Sequence, residues 1–182
     1  RTGLQKVYLQ QFNVFGDPKR SSASLVKGLV KSMGLDETLN HWFLQRFVTI
    51  GYYALVEYEK VKPKPDPLSL SCDWFDIDQI PRLIFDHATI IEGALTAMRQ
   101  HLNFQPIGLN LLPSSFPLKS LQSIYETILG KKLDRPNFNR KILSLGILEK
   151  KEKHFTGASH KAPFLYSFRK KEYYKLLKDG IS

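Results

Sequence analysis

The chain has 182 residues, 42% of them hydrophobic and 12% aromatic, which is enough for one large or two small domains with true cores. No apolar run approaches the ~20 residues of a membrane-spanning helix, and the N-terminus shows no signal-peptide pattern. The single cysteine, Cys72, excludes an intrachain disulfide framework and fits a reducing cytoplasm. The histidines show no metal-ligand spacing, so we expect no metal site and no cofactor.

The N-terminal part of the sequence predicts an α/β arrangement. Three segments are typical of strands because they are aromatic and β-branched, and the second is long enough to be central: residues 7–15, 47–58 and 73–77. Three others show helical periodicity: residues 22–33, 36–45 and 86–101. Asp36 is the expected N-cap of the second helix. The stretch 104–110, which contains Pro106 and Gly108, is predicted to be the hinge between two domains.

The positive charge lies almost entirely in the C-terminal part. Residues 113–182 hold 15 Lys and Arg against 6 Asp and Glu, whereas residues 1–112 hold 12 against 11. Charge confined to one segment indicates a polyanionic partner more strongly than charge spread over the whole surface.

The same C-terminal segment predicts a helix-turn-helix. An apolar stripe at helical spacing runs through residues 118–129, and Gly130 is the expected C-cap. After a three-residue connection, a second helix starts near Asp134 and buries Phe138, Ile142 and Leu145. Its opposite face carries Asn137, Arg140 and Ser144, side chains that can contact base edges and phosphates.

A β-hairpin is predicted after the second helix. Over residues 147–155 and 164–168 the spacing of apolar residues changes from helical towards every second residue, as in a strand. A polar tip with Gly157 joins the two strands. Helix, turn, polar-faced helix and basic hairpin is the order of a winged helix-turn-helix, whose second helix enters the major groove. The alternative is an unrelated α+β domain with lysines on a solvated face.

These residues carry a resemblance to Nudix-related transcriptional regulators. Residues 1–4 (Arg-Thr-Gly-Leu) resemble the end of a Nudix box, and residues 15–18 (Phe-Gly-Asp-Pro) resemble the turn that follows it. Residues 46–55, 74–75 and 84–87 are similar to the later strands and the helix entrance. Motifs between Leu111 and Lys141, such as Asp134-Arg135 and Asn137-Phe138, resemble the DNA-binding domain of that family.

The resemblance implies an α/β (α+β) fold, with an incomplete Nudix-like α/β/α sensor over residues 1–105 and a winged helix-turn-helix over residues 106–182. It implies a homodimer on double-stranded operator DNA, controlled by a small-molecule effector. One branch of the family senses ADP-ribose-type ligands and controls NAD synthesis. Another, in Bacteroidetes, senses sugars. The sequence at residues 83–87 and 110–113 is more similar to that branch.

The sequence departs from the family pattern in two places. It starts at the end of the Nudix box, so the metal-binding glutamates are not in it, and we expect no hydrolysis of nucleoside diphosphates and no catalytic residues. Where the family has a short arginine-rich turn, this chain has a helical insertion at about residues 21–45. That insertion could cover a ligand pocket, contact a partner subunit or decorate the surface.

Two sets of site residues are predicted. The first would bind DNA, with Asn137 and Arg140 on base edges and the others on the backbone or wing: Lys132, Arg135, Asn139, Lys141, His160 and Lys161. The second would bind the effector by stacking or hydrogen bonds: Gln11, Phe15, Arg46, Tyr52, Trp74 and His87. The aromatic members could equally be core residues, His87 could cap the following helix, and Arg46 could simply pair with a carboxylate.

Three classes of function follow from these patterns. The favoured one is a dimeric, ligand-responsive regulator of sugar or NAD-related metabolism. The second is an ADP-ribose-type Nudix hydrolase with an accessory winged helix, and the third is an interaction module whose winged helix binds protein. Steeply salt-dependent binding to duplex DNA separates the first from the third.

Overall fold

A computed structural model describes residues 7, 9–20, 22–66, 69, 71–103, 105–153 and 163–180. The chain divides into two compact units, one of residues 1–54 and 62–96, the other of residues 55–61 and 97–182. Both combine helices and strands, as the predicted fold class requires. Among the described residues, no helix has the length and apolar character to cross a bilayer.

The first unit contains a two-stranded antiparallel ribbon and three helices. Its elements are β1 (Gln10–Phe15), α1 (Ala23–Ser32), α2 (Leu39–Phe43), β2 (Thr49–Tyr53) and the first part of α3 (His87–His101). Strands β1 and β2 pair with each other, with Val14 opposite Ile50. The helix predicted over 22–33 is confirmed, and the Ser22 side chain caps it by accepting from the Leu25 backbone N–H at 3.3 Å.

The ribbon packs through two phenyl rings. Phe12 and Phe15 meet edge to face with centroids 5.9 Å apart. A Cβ added at Gly51 would lie 2.6 Å from the Phe12 ring, so this position in β2 is closed to any side chain. A Cβ at Gly93 of α3 would lie 3.4 Å from the same ring, which shows that α3 runs close beneath the ribbon.

Three sequence predictions in this unit are wrong. The strand predicted over 47–58 is only Thr49–Tyr53, and it lies in a ribbon of two described strands rather than at the centre of a sheet. Residues 73–77 form no strand: they are exposed, pair with no described strand and lead into a single 3₁₀ turn at Ile77–Gln79. The helix predicted over 36–45 is only α2, because the Asp36 carboxylate accepts from the Thr38 backbone N–H at 2.8 Å and closes a turn first.

The second unit is a helical pair followed by a three-stranded sheet and a last helix. Its main elements are β3 (Phe116–Pro117), α4 (Leu118–Leu129), α5 (Arg135–Ser144), β4 (Leu148–Lys153), β5 (Phe164–Phe168) and α6 (Lys170–Asp179). The strand order is β3-β5-β4, with both pairings antiparallel. The predicted helix-turn-helix and hairpin are confirmed, whereas β3 and α6 were not predicted.

The core of the second unit joins α4, α5 and α6 to the sheet. Its buried members are Leu102, Phe116, Leu121, Tyr125, Ile142, Ile147, Leu148 and Tyr173. The Tyr173 hydroxyl donates to the Pro106 carbonyl at 2.7 Å, and the Tyr125 hydroxyl accepts from the Ile107 N–H at 3.2 Å. Burial raises the pKa of both phenols, because the charged form would lose its hydration. The two tyrosines therefore hold residues 106–107, between α3 and β3, against the core of this unit.

Gly108 in that segment cannot carry a side chain. Its φ is +123°, and an added Cβ would lie 2.7 Å from Leu121 Cδ1. The sequence suggested a hinge here, and the close approach of this backbone to α4 explains the glycine without one.

Candidate nucleic-acid interface and ligand cavity

The turn between α4 and α5 has a capped helix end on each side, as in a helix-turn-helix. Gly130 ends α4 with φ of +67°, the left-handed conformation that glycine adopts without strain. Asp134 starts α5, and its Oδ1 accepts from the Asn137 backbone N–H at 3.0 Å. The predicted C-cap at Gly130 and the predicted start of the second helix near Asp134 are confirmed. They fix the point at which α5 leaves the body of the domain.

Two polar side chains of α4 hold this turn in place. The buried Gln122 donates from Nε2 to the Leu133 carbonyl and to Glu126 Oε1, both at 3.0 Å. Glu126 Oε1 also accepts from the Leu133 N–H at 2.9 Å. This pair was not predicted, although a Gln and a Glu four residues apart beside a predicted turn could have indicated it.

The hydrogen bond from the Leu133 N–H, with help from Gln122 and Lys132, holds the pKa of Glu126 below its usual value of 4.5. A depressed carboxyl pKa stabilises the fold above the unfolded value, and this contribution disappears as the pH falls through the folded value. We therefore expect Glu126→Gln to reduce the loss of stability between pH 5 and pH 3. Thermal melts of both proteins across that range measure the effect, and identical pH profiles would contradict it.

The face of α5 that was predicted to be polar is exposed. Phe138 and Ile142 point into the core, whereas Asn137 and Arg140 are exposed. Arg140 Nη2 donates to Asn137 Oδ1 at 3.2 Å, so the structure brings these two residues together. Arg135 and Lys141 are also exposed. Asn139 differs, because it is half-buried and its Oδ1 is buried without a hydrogen-bond partner among the described residues.

The remaining predicted DNA contacts lie at the turn and at the wing. Lys132 is 92% exposed and its Nζ lies 3.2 Å from Glu126 Oε2. The Lys132 ammonium group is therefore largely in solvent, whereas the Glu126 side chain keeps only 14% exposure. Lys150 Nζ of β4 lies 3.6 Å from the centroid of the Phe164 ring of β5, a cation–π contact between the two strands of the wing. His160 and Lys161, predicted at the wing tip, lie outside the described residues.

The structure brings some of the six predicted effector residues together. Arg46 and His87 line one cavity of about 210 Å³. Gln11 and Tyr52 are neighbours across the ribbon, with the Tyr52 hydroxyl 3.4 Å from Gln11 Oε1. Phe15 is half-buried in the packing against Phe12, as the core alternative supposed, and Trp74 is 46% exposed. Of the six, Arg46 and His87 are thus the two that line the same cavity.

An ion pair beside the cavity was not predicted. Arg20 binds Asp86 with two contacts, Nε to Oδ2 at 2.6 Å and Nη2 to Oδ1 at 3.0 Å, and both side chains are mostly buried. Arg20 Nη1 also donates to the Phe15 carbonyl and to Thr49 Oγ1, both at 2.9 Å. One guanidinium thus joins the end of β1, the start of β2 and the entrance of α3. The partners are 66 residues apart, so no local pattern indicates the pair.

The cavity also contains a strained residue. Phe85 has φ of +53°, which is the only positive φ of a non-glycine residue in the described part of the chain. Such a conformation costs about 1–3 kcal/mol and persists at ligand sites when the surroundings enforce it. No three His, Cys, Asp or Glu side chains of the described residues come together as a metal site.

The order of elements and the sheet topology define the second unit as a winged helix-turn-helix. In this class of DNA-binding domain the second helix lies in the major groove. Residues 108–168 match the model of the family described as the NrtR DNA-binding winged helix domain.

Known proteins are similar over most of the chain. An ADPR responsive transcriptional repressor NtrR of Acinetobacter baylyi is 25% identical over 175 residues, which is 95% of this chain and 61% of the relative. The crystal structure of Shewanella oneidensis NrtR superposes with a TM-score of 0.66 at 22% identity, over 94% of this chain and 69% of that one. The crystal structure of the same NrtR with a 27mer DNA gives 0.65 at 22%, over 95% and 69%.

Residues 108–168 therefore match the NrtR-type winged helix domain, and over 95% of its length the chain is similar to an NtrR repressor. The predicted fold class, α/β with a Nudix-like part and a winged helix-turn-helix, is confirmed by the superposition. The chain spans about three fifths of the length of the Acinetobacter relative, 61%.

Proposed function

We propose that the chain is the DNA-binding and effector-sensing part of a transcriptional repressor that does not act as an enzyme. The observation that carries the proposal is the exposed Asn137–Arg140 pair on α5, in a segment that holds 15 of the 27 basic residues. A side-chain pair of this chemistry, held on a rigid helix, suits guanine and adenine edges in the major groove. The DNA-bound state of Shewanella oneidensis NrtR supports the same use of the fold.

The effector that we propose for this chain is based on the effector of its Acinetobacter relative. The Acinetobacter repressor is ADPR responsive, so an ADP-ribose-type ligand bound to a sensor over residues 1–105 is the first candidate for this chain. A sugar is the second, and the regulated genes would serve NAD or carbohydrate metabolism accordingly. Two copies would present two α5 helices to a palindromic operator through residues 106–182. Such a regulator works in the cytoplasm, where its operator is.

Arg140→Ala is expected to weaken binding to the operator by ~1–3 kcal/mol and to relax the preference at one base pair, because a base-edge contact is lost. Lys132→Ala is expected to weaken binding to all duplexes alike, since a phosphate contact has no sequence preference. Fluorescence anisotropy with operator and scrambled duplexes over a series of salt concentrations measures both effects.

Each variant is the control for the other, because both remove one exposed cation within the same motif. If Arg140→Ala bound the operator as tightly as the wild-type chain does, Arg140 would not be a base-reading residue. If the wild-type chain showed no salt-dependent binding to any duplex, the regulator itself would be ruled out in favour of a protein-binding winged helix.

A further inference from the structure

A second cavity, which we call the α5 cavity, lies wholly within the second unit. Its volume is about 260 Å³, and every residue that lines it belongs to that unit. The lining comes from the residues that follow α3, from α4, from the turn after α4 and from one flank of α5. The cavity therefore uses a side of the same helix that we propose to read DNA.

Exposure divides the lining of the α5 cavity into an apolar floor and a polar mouth. The floor consists of leucines, one isoleucine and two aromatic residues, all of them buried or half-buried. Its two rings, those of Tyr125 and Phe138, meet edge to face with centroids 5.3 Å apart. The mouth consists of four exposed polar residues: Asn103, Asp134, Asn137 and Lys141. A ligand that suits both parts has an apolar body and one polar end.

Two groups at the mouth have hydrogen-bond donors without a partner among the described residues. Lys141 Nζ pairs with no carboxylate there, and the Asn137 side chain uses only its Oδ1, which accepts from Arg140 Nη2 at 3.2 Å. The Asp134 carboxylate already caps α5, because its Oδ1 accepts from the Asn137 backbone N–H at 3.0 Å. Asn137 and Lys141 are four residues apart on one helix, so both can reach the same group. An amide donor beside a cation favours a carboxylate.

The volume of the α5 cavity limits the body of the ligand. An enclosed cavity of about 150 Å³ lined by Leu, Ile and Phe side chains is large enough to bind benzene. The α5 cavity has a floor of the same residue types and a volume of about 260 Å³, so it has room for an aromatic ring and a short side chain. Pockets for drug-sized molecules span about 300–1,000 Å³, and a nucleotide is therefore too large for it.

We propose that the α5 cavity binds a small aromatic carboxylic acid and that this ligand competes with operator DNA. The ring lies on the apolar floor, and the carboxylate accepts from Asn137 and Lys141. The competition rests on the proposed function, because Asn137 and Lys141 are shared only if α5 binds DNA. A donor that holds the carboxylate is not available to a base or a phosphate, so ligand and operator weaken each other's binding by the same factor.

Three ligands with the same body and different ends test the assignment: phenylpropionate, phenylpropanol and phenylpropylamine. Isothermal titration of the whole chain at pH 7 measures the three affinities. We expect the acid to bind about 10-fold more tightly than the alcohol, the effect of a hydrogen bond to a charged group. The amine should bind more weakly than the alcohol, because its charge repels that of Lys141. Equal affinities for acid and alcohol, or no binding of the acid, would overturn the proposal.

A charge variant tests the mouth of the cavity. Lys141→Met removes the ammonium group but keeps the length of the side chain, so it should remove the preference for the acid and leave the affinity for the alcohol unchanged. Lys175→Met is its control, because Lys175 is an exposed lysine of α6 outside the lining. A preference for the acid that survived in Lys141→Met would contradict the proposed carboxylate site.

Two filling variants test the floor. Leu129→Phe fills the cavity from α4, and Leu145→Phe fills it from the end of α5, so both should remove most of the affinity for acid and alcohol alike. Leu177→Phe is their control, because Leu177 is also half-buried against the core but lies outside the lining. Far-ultraviolet circular dichroism shows which variants are folded. Wild-type affinities in the folded filling variants would overturn the proposal, and so would a change in sedimentation in place of the loss of ligand, since the cavity would then be a contact between copies.

Operator binding with and without phenylpropionate tests the competition and separates it from the proposed function. Saturating acid should weaken operator binding by the wild-type chain but not by Leu129→Phe, which should bind the operator normally without ligand. Acid that binds and leaves operator affinity unchanged would overturn the competition. A chain that binds the acid but no operator keeps the cavity assignment and overturns the regulator, whereas a chain that binds the operator but not the acid does the reverse.

Discussion

Asp86→Ala is expected to lower the free energy of unfolding of the first unit by about 3 kcal/mol, the lower end of the range for breaking a buried ion pair. The lower end applies because the side chains of Arg20 and Asp86 keep 14% and 19% exposure. Without the carboxylate, the Arg20 guanidinium would stay largely buried with its charge unpaired. Urea unfolding followed by tryptophan fluorescence measures the effect, since Trp42 and Trp74 both belong to this unit.

The controls separate charge from geometry. Asp86→Asn keeps an oxygen acceptor for Arg20 but removes the charge, so its effect should be smaller than that of Asp86→Ala. Asp73→Ala removes an exposed carboxylate of the same unit and should change stability by less than about 0.5 kcal/mol. If Asp86→Ala and Asp73→Ala changed the free energy of unfolding equally, the Arg20–Asp86 pair would not hold β1, β2 and α3 together.

The winged helix could be predicted because its signals are local. The apolar stripe of α4, the glycine after it and the Asp134 cap each depend on residues within one or two turns. Those signals agree with one another and with the charge distribution, and such agreement between levels is what makes a sequence prediction succeed. The last helix, α6, was missed although its Tyr173 completes the core.

The first unit was harder to predict because its elements depend on distant partners. An aromatic, β-branched run such as 47–58 fits a strand along its whole length, but only the part opposite β1 finds a partner, Thr49–Tyr53. Residues 73–77 have the composition of a strand and no described strand beside them. Pairing between strands is a tertiary property that one sequence does not show.

The sites divide in the same way. The exposed polar face of α5 follows from helical geometry, so the proximity of Asn137 and Arg140 could be predicted. The cavity joins residues from 17 to 87, and only Arg46 and His87 of its lining were predicted. Arg20 and Asp86 could not be paired in advance, because nothing in either local sequence distinguishes a structural ion pair from a solvated one.

Phe116→Ala is expected to lower the free energy of unfolding of the second unit by about 3–5 kcal/mol, the usual cost of removing a buried phenyl ring. Phe116 is 1% exposed, and its ring packs against Phe168 of β5 with centroids 5.0 Å apart. Its backbone pairs with Tyr166, and α4 starts two residues later. The ring therefore holds the wing, the start of α4 and the core together, and neighbouring side chains on fixed elements cannot collapse fully into the cavity.

Urea unfolding followed by far-ultraviolet circular dichroism measures this loss, because α4, α5 and α6 all belong to the second unit. Tyr174→Ala is the matched control: it removes an aromatic ring of the same unit that is 57% exposed, and it should cost no more than about 0.5 kcal/mol. Phe116→Leu should fall between the two, since a smaller apolar side chain fills part of the space. If Phe116→Ala lowered the free energy of unfolding no more than Tyr174→Ala does, β3 would not be part of the core. The wing would then be attached to the helices through β4 and β5 alone.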